Sequence, residues 1–442
     1  MAQQNRLIQD ARYERRRRKL LKQIKGEIAI FPAAPEQPKS RDQLFPYQPN
    51  TDLLYLTGFE EAHSVLVLLG STKGPRSILY LRDRDALHER WNGERLGLKR
   101  ARRRFAVDEV HPIEAFESQL MKLLEPFQTL HYPAGVNPRI DQIIWRAFCS
   151  QTAPRVQGPH TIRDARLLTS LMRIRKDREE IRALRHICEI TANAFVHIAP
   201  LLKSAKSELH AARMLEAEFF KLGAHGVAFN TIVASGKNAT VLHHEPSLQP
   251  LWKRELVLID AGASFQGYAA DISRTIPPSG KFTDAQAKVY DVVLAALEAS
   301  LERCQPGSDL EAIHTACVRA LIRGLQELDI IKSPAPKAYN DAEYRRYYMH
   351  RTGHWLGLDV HDVAPIYCGE YLVPPSSRPL EPGNVFTVEP GLYFDSNDET
   401  VPPEFRGIGI RIEEDVVITA TGAEVLTSGV PRARLEVEQL IR

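Results

Sequence analysis

The chain has 442 residues, of which 43% are hydrophobic and 26% charged, as in an ordinary soluble globular protein of two or three domains. Its formal net charge of +3 is too small to indicate a nucleic-acid partner, and apolar runs such as Val65–Leu69 are too short to span a membrane. No secretory signal is visible before Gly26, and the five scattered cysteines form no Cys-x-x-Cys pair. We therefore expect buried thiols and a cytoplasmic location.

The first part of the chain alternates helix-like and strand-like segments. Residues 5–24 have helical periodicity, with the basic run Arg15–Lys19 expected on a solvated face. Short apolar runs predict strands, and longer amphipathic runs predict helices. The predicted strands are Glu27–Phe31, Leu53–Leu56, Val65–Leu69 and Ile78–Leu81, and the predicted helices are Pro112–Phe127 and Pro138–Phe148. This alternation favours an α/β domain built on a mixed sheet.

After Arg173 the pattern changes to longer helices separated by strand-rich blocks. Helices are predicted over 176–202 and 207–222, and capping boxes at Thr283-x-x-Gln286 and Ser308-x-x-Glu311 predict the starts of two more. Strands are expected within 227–275 and 345–420. Two helix pairs, each followed by strands, suggest an internal duplication. We predict two packed domains, residues 1–174 and 175–442.

Two aspartates, Asp260 and Asp271, each follow an apolar strand-like run in "LIDAGASFQGYAADISRT". If the stretch is a hairpin with its turn at residues 264–267, the two carboxylates lie directly opposite each other, with Cβ atoms roughly 5 Å apart. Two ionised carboxylates at that distance require either a proton or a cation between them. A surface hairpin with two solvated aspartates is the alternative from this stretch alone.

Further acids and imidazoles occur in apolar contexts in the same half. Glu389 ends the strand-like run 386–389, and Glu413 lies within the strand-like run 408–418 on the same face as Arg411 and Asp415. Three histidines fall within twelve residues: His350, His354 and His361. Each residue alone could be a hydrogen-bonded or ion-paired structural group. Together, four carboxylates and one imidazole are more simply compensated by two divalent cations, of which Mn²⁺, Co²⁺, Fe²⁺ and Zn²⁺ suit this donor set.

The motifs "LIDAG", "GYAADISRT", "GHWLGLDVHD", "TVEPGLY" and "GIRIEED" in this order resemble those of the pita-bread metallopeptidases of the aminopeptidase P type. The resemblance extends to "YQPNTDLLYLTGF" in the first domain. It implies an α/β (α+β) chain in which a mixed-sheet α/β domain precedes a pita-bread catalytic domain. The implied activity is hydrolysis of the bond between an N-terminal residue and a following proline, with peptides as the partners.

The resemblance also assigns roles to residues. It implies two divalent metal ions, Mn²⁺ first and Co²⁺, Zn²⁺ or Fe²⁺ as alternatives. The implied metal ligands are Asp260, Asp271, His354, Glu389 and Glu413, with Glu389 also the general base for the attacking water. Residues implied to contact substrate, the oxyanion or the proline pocket are His243, His350 and His361. Arg411 and Tyr393 are implied to orient Glu413 and the substrate.

Some positions depart from the pattern or extend it. Phe229 stands where relatives often have tyrosine, and Ala364-Pro365 replaces a common glycine after Val363. Trp91 resembles a tryptophan that reaches the active site of a neighbouring subunit, so a homodimer or homotetramer is expected, and a plain interface or buried role is the alternative. A prolidase acting on Xaa-Pro dipeptides is the alternative activity. A non-catalytic binding protein and a creatinase-like enzyme fit less well, because the five ligand positions are all present.

Overall fold

The computed structural model describes residues 2–72, 74–150, 157–252, 254–364, 367–368, 371–372 and 377–441. The chain divides into two compact units, Met1–Leu171 and Met172–Arg442, called here the N-terminal unit and the C-terminal unit. The domain boundary predicted between residues 174 and 175 stays a prediction. Among the described residues, no helix has both the length and the apolarity needed to cross a membrane.

The N-terminal unit is built on a mixed sheet, as the sequence predicts, and this sheet has six strands. Its strands are β1 Ile28–Pro32, β2 Val65–Leu69, β3 Arg76–Leu81, β4 Glu109–Pro112, β5 Thr129–His131 and β6 Thr161–Arg163, in the order β4-β3-β2-β1-β5-β6. Strands β1 to β3 pair antiparallel, and β4, β5 and β6 each join a neighbour in parallel. Its helices are α1 Ala2–Gln23, α2 Thr51–Thr57, α3 Ala86–Asn92, α4 Gly97–Arg104, α5 Ala115–Leu124 and α6 Pro138–Ser150.

The strand predicted at Leu53–Leu56 is wrong, because these residues form helix α2. The side chain of Asn50 caps the helix by accepting the backbone N–H of Leu53, and Gly58 ends it in the left-handed conformation with φ 67°. An asparagine N-cap and a glycine after the last turn are standard helix boundaries. The short apolar run was compatible with either structure, and its flanking residues decide for a helix.

The basic run in α1 is only partly solvated, which corrects the predicted solvated face. Arg16 and Arg17 are buried, with 4% and 2% of their surface exposed. The Arg16 guanidinium lies 3.9 Å from the centre of the Tyr55 ring, and Arg17 donates to the backbone carbonyls of Leu56 and Ala106. These arginines fasten α1 to α2 and to the segment after α4.

The C-terminal unit begins within helix α7 Arg166–Arg173 and contains two long helix pairs. The first pair is α8 Arg178–Ile198 and α9 Glu208–Lys221, and the second is α10 Asp284–Leu301 and α11 Leu310–Glu327, followed by α12 Ala335–Asn340 and α13 Arg434–Leu440. The capping box predicted at Thr283 is confirmed, whereas α11 is capped by Asp309 and the box predicted at Ser308 is wrong. A capping box that we did not predict, Asp177 with Glu180, starts α8.

Short antiparallel strands lie between and after these helix pairs. They are β7 Gly226–Val227, β8 Ile232–Ser235, β9 Val257–Ala261, β10 Ala263–Phe265, β11 Tyr268–Ala269, β12 Ile272–Ile276, β13 Tyr367–Cys368, β14 Tyr371–Leu372, β15 Val385–Val388, β16 Gly391–Tyr393, β17 Gly409–Arg411, β18 Glu414–Ile418 and β19 Ala423–Val425. Helices α8 and α9 pack against strands of the group that precedes α10, namely β7, β8, β10 and β11. Helix α10 packs against β15, β16 and β17, which belong to the group that follows α12. Each strand group thus has its own helix cover, and the strand ends between them carry the site described next.

Candidate metal centre

The hairpin that carries Asp260 and Asp271 has a different register from the predicted one. Its turn is at Gln266-Gly267, both with positive φ (52° and 83°), and Asp260 pairs with Ser273. Two positive φ angles are the signature of a two-residue type I′ turn, which moves the centre of the hairpin by one residue. The predicted direct opposition of the two aspartates is therefore wrong. They lie on the same face as diagonal neighbours, because Asp271 is two residues from Ser273.

Arg411 and Glu413 flank the break between two strands instead of lying in one strand as predicted. Strand β17 ends at Arg411 and pairs with β16, whereas β18 begins after Glu413 and pairs with β15. Ser273 joins the two side chains: its Oγ accepts from Arg411 Nε at 2.9 Å and donates to Glu413 Oε2 at 2.9 Å. Arg411 also donates through Nη2 to Asp260 Oδ2 at 2.6 Å.

His354 is held with one ring nitrogen free to bind a metal. Its Nδ1 donates to the carbonyl of Trp355 at 3.1 Å, which leaves Nε2 as the lone-pair nitrogen. That Nε2 lies 3.5 Å from Asp271 Oδ2 and 3.9 Å from Glu389 Oε1. Burial, together with the neighbouring His361 ring, lowers the pKa of His354 to about 4, so the imidazole is neutral near pH 7.

His350 and Tyr393 lie beside Glu389. His350 Nδ1 donates to the Arg351 carbonyl at 2.8 Å, and its Nε2 lies 2.8 Å from the Tyr393 hydroxyl. The same hydroxyl accepts from Arg411 Nη1 at 3.0 Å. The Tyr393 hydroxyl can therefore donate its proton to His350. Arg411 thus contacts both Tyr393 and Asp260.

The carboxylates are too close and too buried to be ionised without compensation. Burial, followed by the charges of Glu413 and Asp260, raises the pKa of Asp271 well above its usual value. Burial and Glu413 do the same to the pKa of Glu389, and burial and Asp260 raise the pKa of Glu413 to about 8. The cluster therefore needs protons or cations near neutral pH.

The donor set fits a divalent cation. One ligand atom each from Asp271, His354 and Glu413 lies within 4.8 Å of the other two. Within the described part of the chain, Asp260 Oδ1 and Asp271 Oδ1 are buried without a hydrogen-bond partner, which is how carboxylate oxygens reserved for a metal would look. Carboxylate oxygens with one imidazole match Mn²⁺, Co²⁺, Fe²⁺ or Zn²⁺.

The cluster opens into a cavity of about 790 Å³ in the C-terminal unit. Ten of the twelve candidate site residues line it: Phe229, His243, Asp260, Asp271, His350, His354, His361, Glu389, Arg411 and Glu413. Tyr393 is reached through its bonds to His350 and Arg411. Trp91 lies in the N-terminal unit, where 88% of its surface is exposed. Pro365 is outside the described residues.

Two residues that position the site were missed or undervalued in the sequence. Ser273 is not among the predicted site residues, although its strand position, two after Asp271, places it on the same face as Asp271. The sequence places Asp415 only on the same face as Glu413. In the structure its Oδ2 accepts the backbone N–H of Asp271 at 2.9 Å and lies 3.3 Å from the Cys188 thiol. Asp415 thus fixes the backbone of Asp271, a candidate ligand residue.

The fold and the acid-rich cavity define a metallopeptidase. Residues 182–420 match Metallopeptidase family M24, and residues 13–131 match the aminopeptidase P N-terminal domain. The chain belongs to family M24 and has its pita-bread fold, preceded by that N-terminal domain.

Similarity to particular relatives runs along nearly the whole chain. The Xaa-Pro aminopeptidase of Escherichia coli strain K12 is 39% identical over 97% of this chain and 97% of its own length. The zinc-substituted structure of E. coli aminopeptidase P in complex with product has a TM-score of 0.92, 39% identity, and 98% of each chain covered. Proline aminopeptidase P II from Yersinia pestis has a TM-score of 0.91 and 39% identity, with 98% of this chain and 99% of that one covered.

Proposed function

We propose that the chain is a cytoplasmic Xaa-Pro aminopeptidase, which removes the N-terminal residue from peptides whose second residue is proline. The observation that carries the proposal is the convergence of Asp271, His354 and Glu413 at one cavity. The 39% identity to an Xaa-Pro aminopeptidase over 97% of the chain supports it. We also propose that residues 1–174 and 175–442 are its two domains.

The proposed cofactor is a pair of divalent cations, Mn²⁺ before Co²⁺, Zn²⁺ or Fe²⁺. Their ligands would be Asp260, Asp271, His354, Glu389 and Glu413, because ions there would offset the charge that raises the carboxyl pKa values. When bound, such ions supply Lewis acidity and a nucleophile at neutral pH.

The protein groups divide the remaining work. Glu389 lines the cavity and would accept the proton of the attacking water, once bound cations offset the burial and charge that raise its pKa. His243 and His361 line the same cavity and would donate to the carbonyl oxygen as it becomes an oxyanion. His350, Phe229 and neighbouring apolar groups would bind the proline and the N-terminal residue.

The assembly is also proposed. An exposed tryptophan on a surface helix is a common interface anchor. With Trp91 and Leu87 exposed by 88% and 73% on α3, we propose a homodimer or homotetramer in which Trp91 reaches a second subunit's cavity.

A peptidase assay with metal-stripped and reloaded protein tests the function. The protein is reloaded with Mn²⁺, Co²⁺ or Zn²⁺ and offered Xaa-Pro-Yaa, Xaa-Pro and Xaa-Ala-Yaa peptides. We expect turnover of Xaa-Pro-Yaa, with Xaa-Ala-Yaa poorly cleaved. Turnover of the dipeptide alone would make the protein a prolidase, and no turnover of any proline substrate with any metal would overturn the proposal. Elemental analysis of the loaded protein measures the number of ions per chain.

A further inference from the structure

Glu208, the first residue of α9, is a carboxylate with none of its surface exposed. It is not among the residues that line the cavity. Glutamates are almost never fully buried unless they are paired or hydrogen-bonded on all sides. Its partners therefore indicate why the fold has a charge at this position.

Both carboxylate oxygens of Glu208 are fully used as acceptors. Oε1 accepts from the backbone N–H of Ser235 at 2.8 Å and from Asn238 Nδ2 at 2.9 Å. Oε2 accepts from His244 Nε2 at 2.9 Å and from Ser247, through its backbone N–H at 3.1 Å and its hydroxyl at 2.7 Å. Five donors from four residues meet on one side chain.

The backbone at the start of α9 also donates hydrogen bonds to the segment that contains Ser247. The backbone N–H of Glu208 donates to the Gln249 carbonyl at 3.1 Å, and that of Leu209 donates to the Ser247 carbonyl at 2.9 Å. We call residues 241–249 the His243 loop. This loop carries His243 and His244 into the cavity wall, whereas neither of these histidines belongs to a regular strand or helix.

We propose that Glu208 is a positioning residue that holds the His243 loop, and with it the His243 imidazole, at the cavity. This inference rests on the proposed function only in its kinetic part. Since His244 is adjacent to His243 and is bonded directly to Glu208, a shift of that bond moves the His243 backbone. Donors aimed at a developing charge must be placed within a few tenths of an ångström to act, so the loop needs such an anchor.

The test is Glu208→Gln, in which an NH₂ group replaces one oxygen and faces donors. Glu218→Gln is the matched control: Glu218 is on the same helix α9 but near the surface, bonded to His197 and Lys221. We expect amide hydrogen exchange in residues 243–247 to be about tenfold faster in Glu208→Gln and unchanged in Glu218→Gln. The exchange result stands even if the wild-type protein cleaves no proline peptide, so the two proposals fail separately.

If the protein cleaves Xaa-Pro-Yaa, we expect Glu208→Gln to lower kcat/KM by about 10- to 100-fold without changing bound metal. Combined with His243→Ala, the additional loss from Glu208→Gln should largely disappear, because the group that it positions is gone. Ser247→Ala removes one of the five bonds from the loop side and should give the same pattern more weakly. Unchanged exchange in both Glu208→Gln and Ser247→Ala, or an equal loss with and without His243, would overturn the proposal.

Discussion

Arg411 Nη2 donates to Asp260 Oδ2 at 2.6 Å, and this buried contact ties strand β17 to a metal-ligand candidate at the end of β9. The same guanidinium reaches Glu413 through Ser273 and contacts the Tyr393 hydroxyl. Only 3% of Arg411 is exposed. One planar cation therefore sets the direction of two carboxylates, and a point charge could not do so equally well.

Arg411→Lys keeps the charge but loses the planar fork, so we expect divalent-metal affinity to fall by about 10- to 100-fold. Competition with a metal-binding dye measures it. Arg185→Lys is the control, because Arg185 also makes a two-pronged contact, with Glu424, but on the exposed surface of the same unit. Equal metal affinity of Arg411→Lys and wild type would show that the fork is not required.

The sequence predicts which residues come together in the cavity better than it predicts their geometry. Acidic residues at the ends of apolar runs are recognisable from the sequence alone, and so Asp271 and Glu413 could be predicted as site residues. The register of their hairpin depends on which residues adopt positive φ, and Gln266 does so although it is not glycine. The observed turn is centred one residue later than the predicted one, so Asp260 pairs with Ser273 and not with Asp271. Turn conformation was the missing information.

The hydrogen-bond partners of buried charged side chains could not be predicted where they are far away in the sequence. Arg17 looks like any arginine in a basic run, and its burial follows from carbonyl groups 39 and 89 residues away. Glu208 likewise lies in an unremarkable amphipathic helix, and its donors are 27 to 39 residues further on. Long-range polar contacts of single residues leave no periodic signal.

Metal removal should make stability depend on pH in an unusual direction. In the metal-free folded protein the pKa of Glu413 is about 8, and burial raises the pKa values of Asp271 and Glu389 as well. A carboxyl with a raised folded-state pKa stabilises the fold fully below its unfolded value near 4 and loses that contribution as pH rises through the folded value. We expect the free energy of unfolding to fall between about pH 5 and about pH 8 in chelator.

Urea unfolding at both pH values, with chelator and with Mn²⁺, measures this dependence. Bound Mn²⁺ should reduce it, because the cation replaces the protons. Glu413→Gln in chelator is the control, since it removes one of the titrating carboxyls and should weaken the dependence. A metal-free protein that gains stability towards pH 8 would contradict the electrostatic account of the site.

Asp362→Asn should strongly destabilise the C-terminal unit. Asp362 lies between Lys176 Nζ at 3.0 Å and Arg173 Nη2 at 2.6 Å, with 1% of its side chain exposed. Burial alone raises the pKa of Asp362, but Lys176 and Arg173 outweigh it and lower the pKa, so the stabilisation is present above about pH 4 and lost in acid. Removing the charge leaves a buried ammonium without its carboxylate, and we expect a loss of about 3–5 kcal/mol.

Asp359→Asn is the matched control for Asp362→Asn. Asp359 accepts from the same Arg173 nitrogen at 2.7 Å, but 40% of its side chain is exposed. Exposed ion pairs contribute about 0–1 kcal/mol, so this variant should unfold close to wild type in urea. Similar losses in the two variants would mean that burial of the Asp362 pair has no special effect.

Arg17→Ala and Arg18→Ala remove the same charge from adjacent positions of α1, yet we expect very different stabilities. Arg17 is 2% exposed and donates to the buried Leu56 carbonyl at 2.8 Å and to the part-buried Ala106 carbonyl at 2.6 Å. Its loss takes a charged donor from both carbonyls and costs about 3 kcal/mol. The Arg18 side chain is 73% exposed and pairs with Glu14 one turn earlier, which is worth about 0.5 kcal/mol or less. Urea unfolding of the two variants at one pH measures the difference. Equal unfolding midpoints would mean that Arg17 contributes no more to stability than an arginine on the solvated face that the sequence predicts.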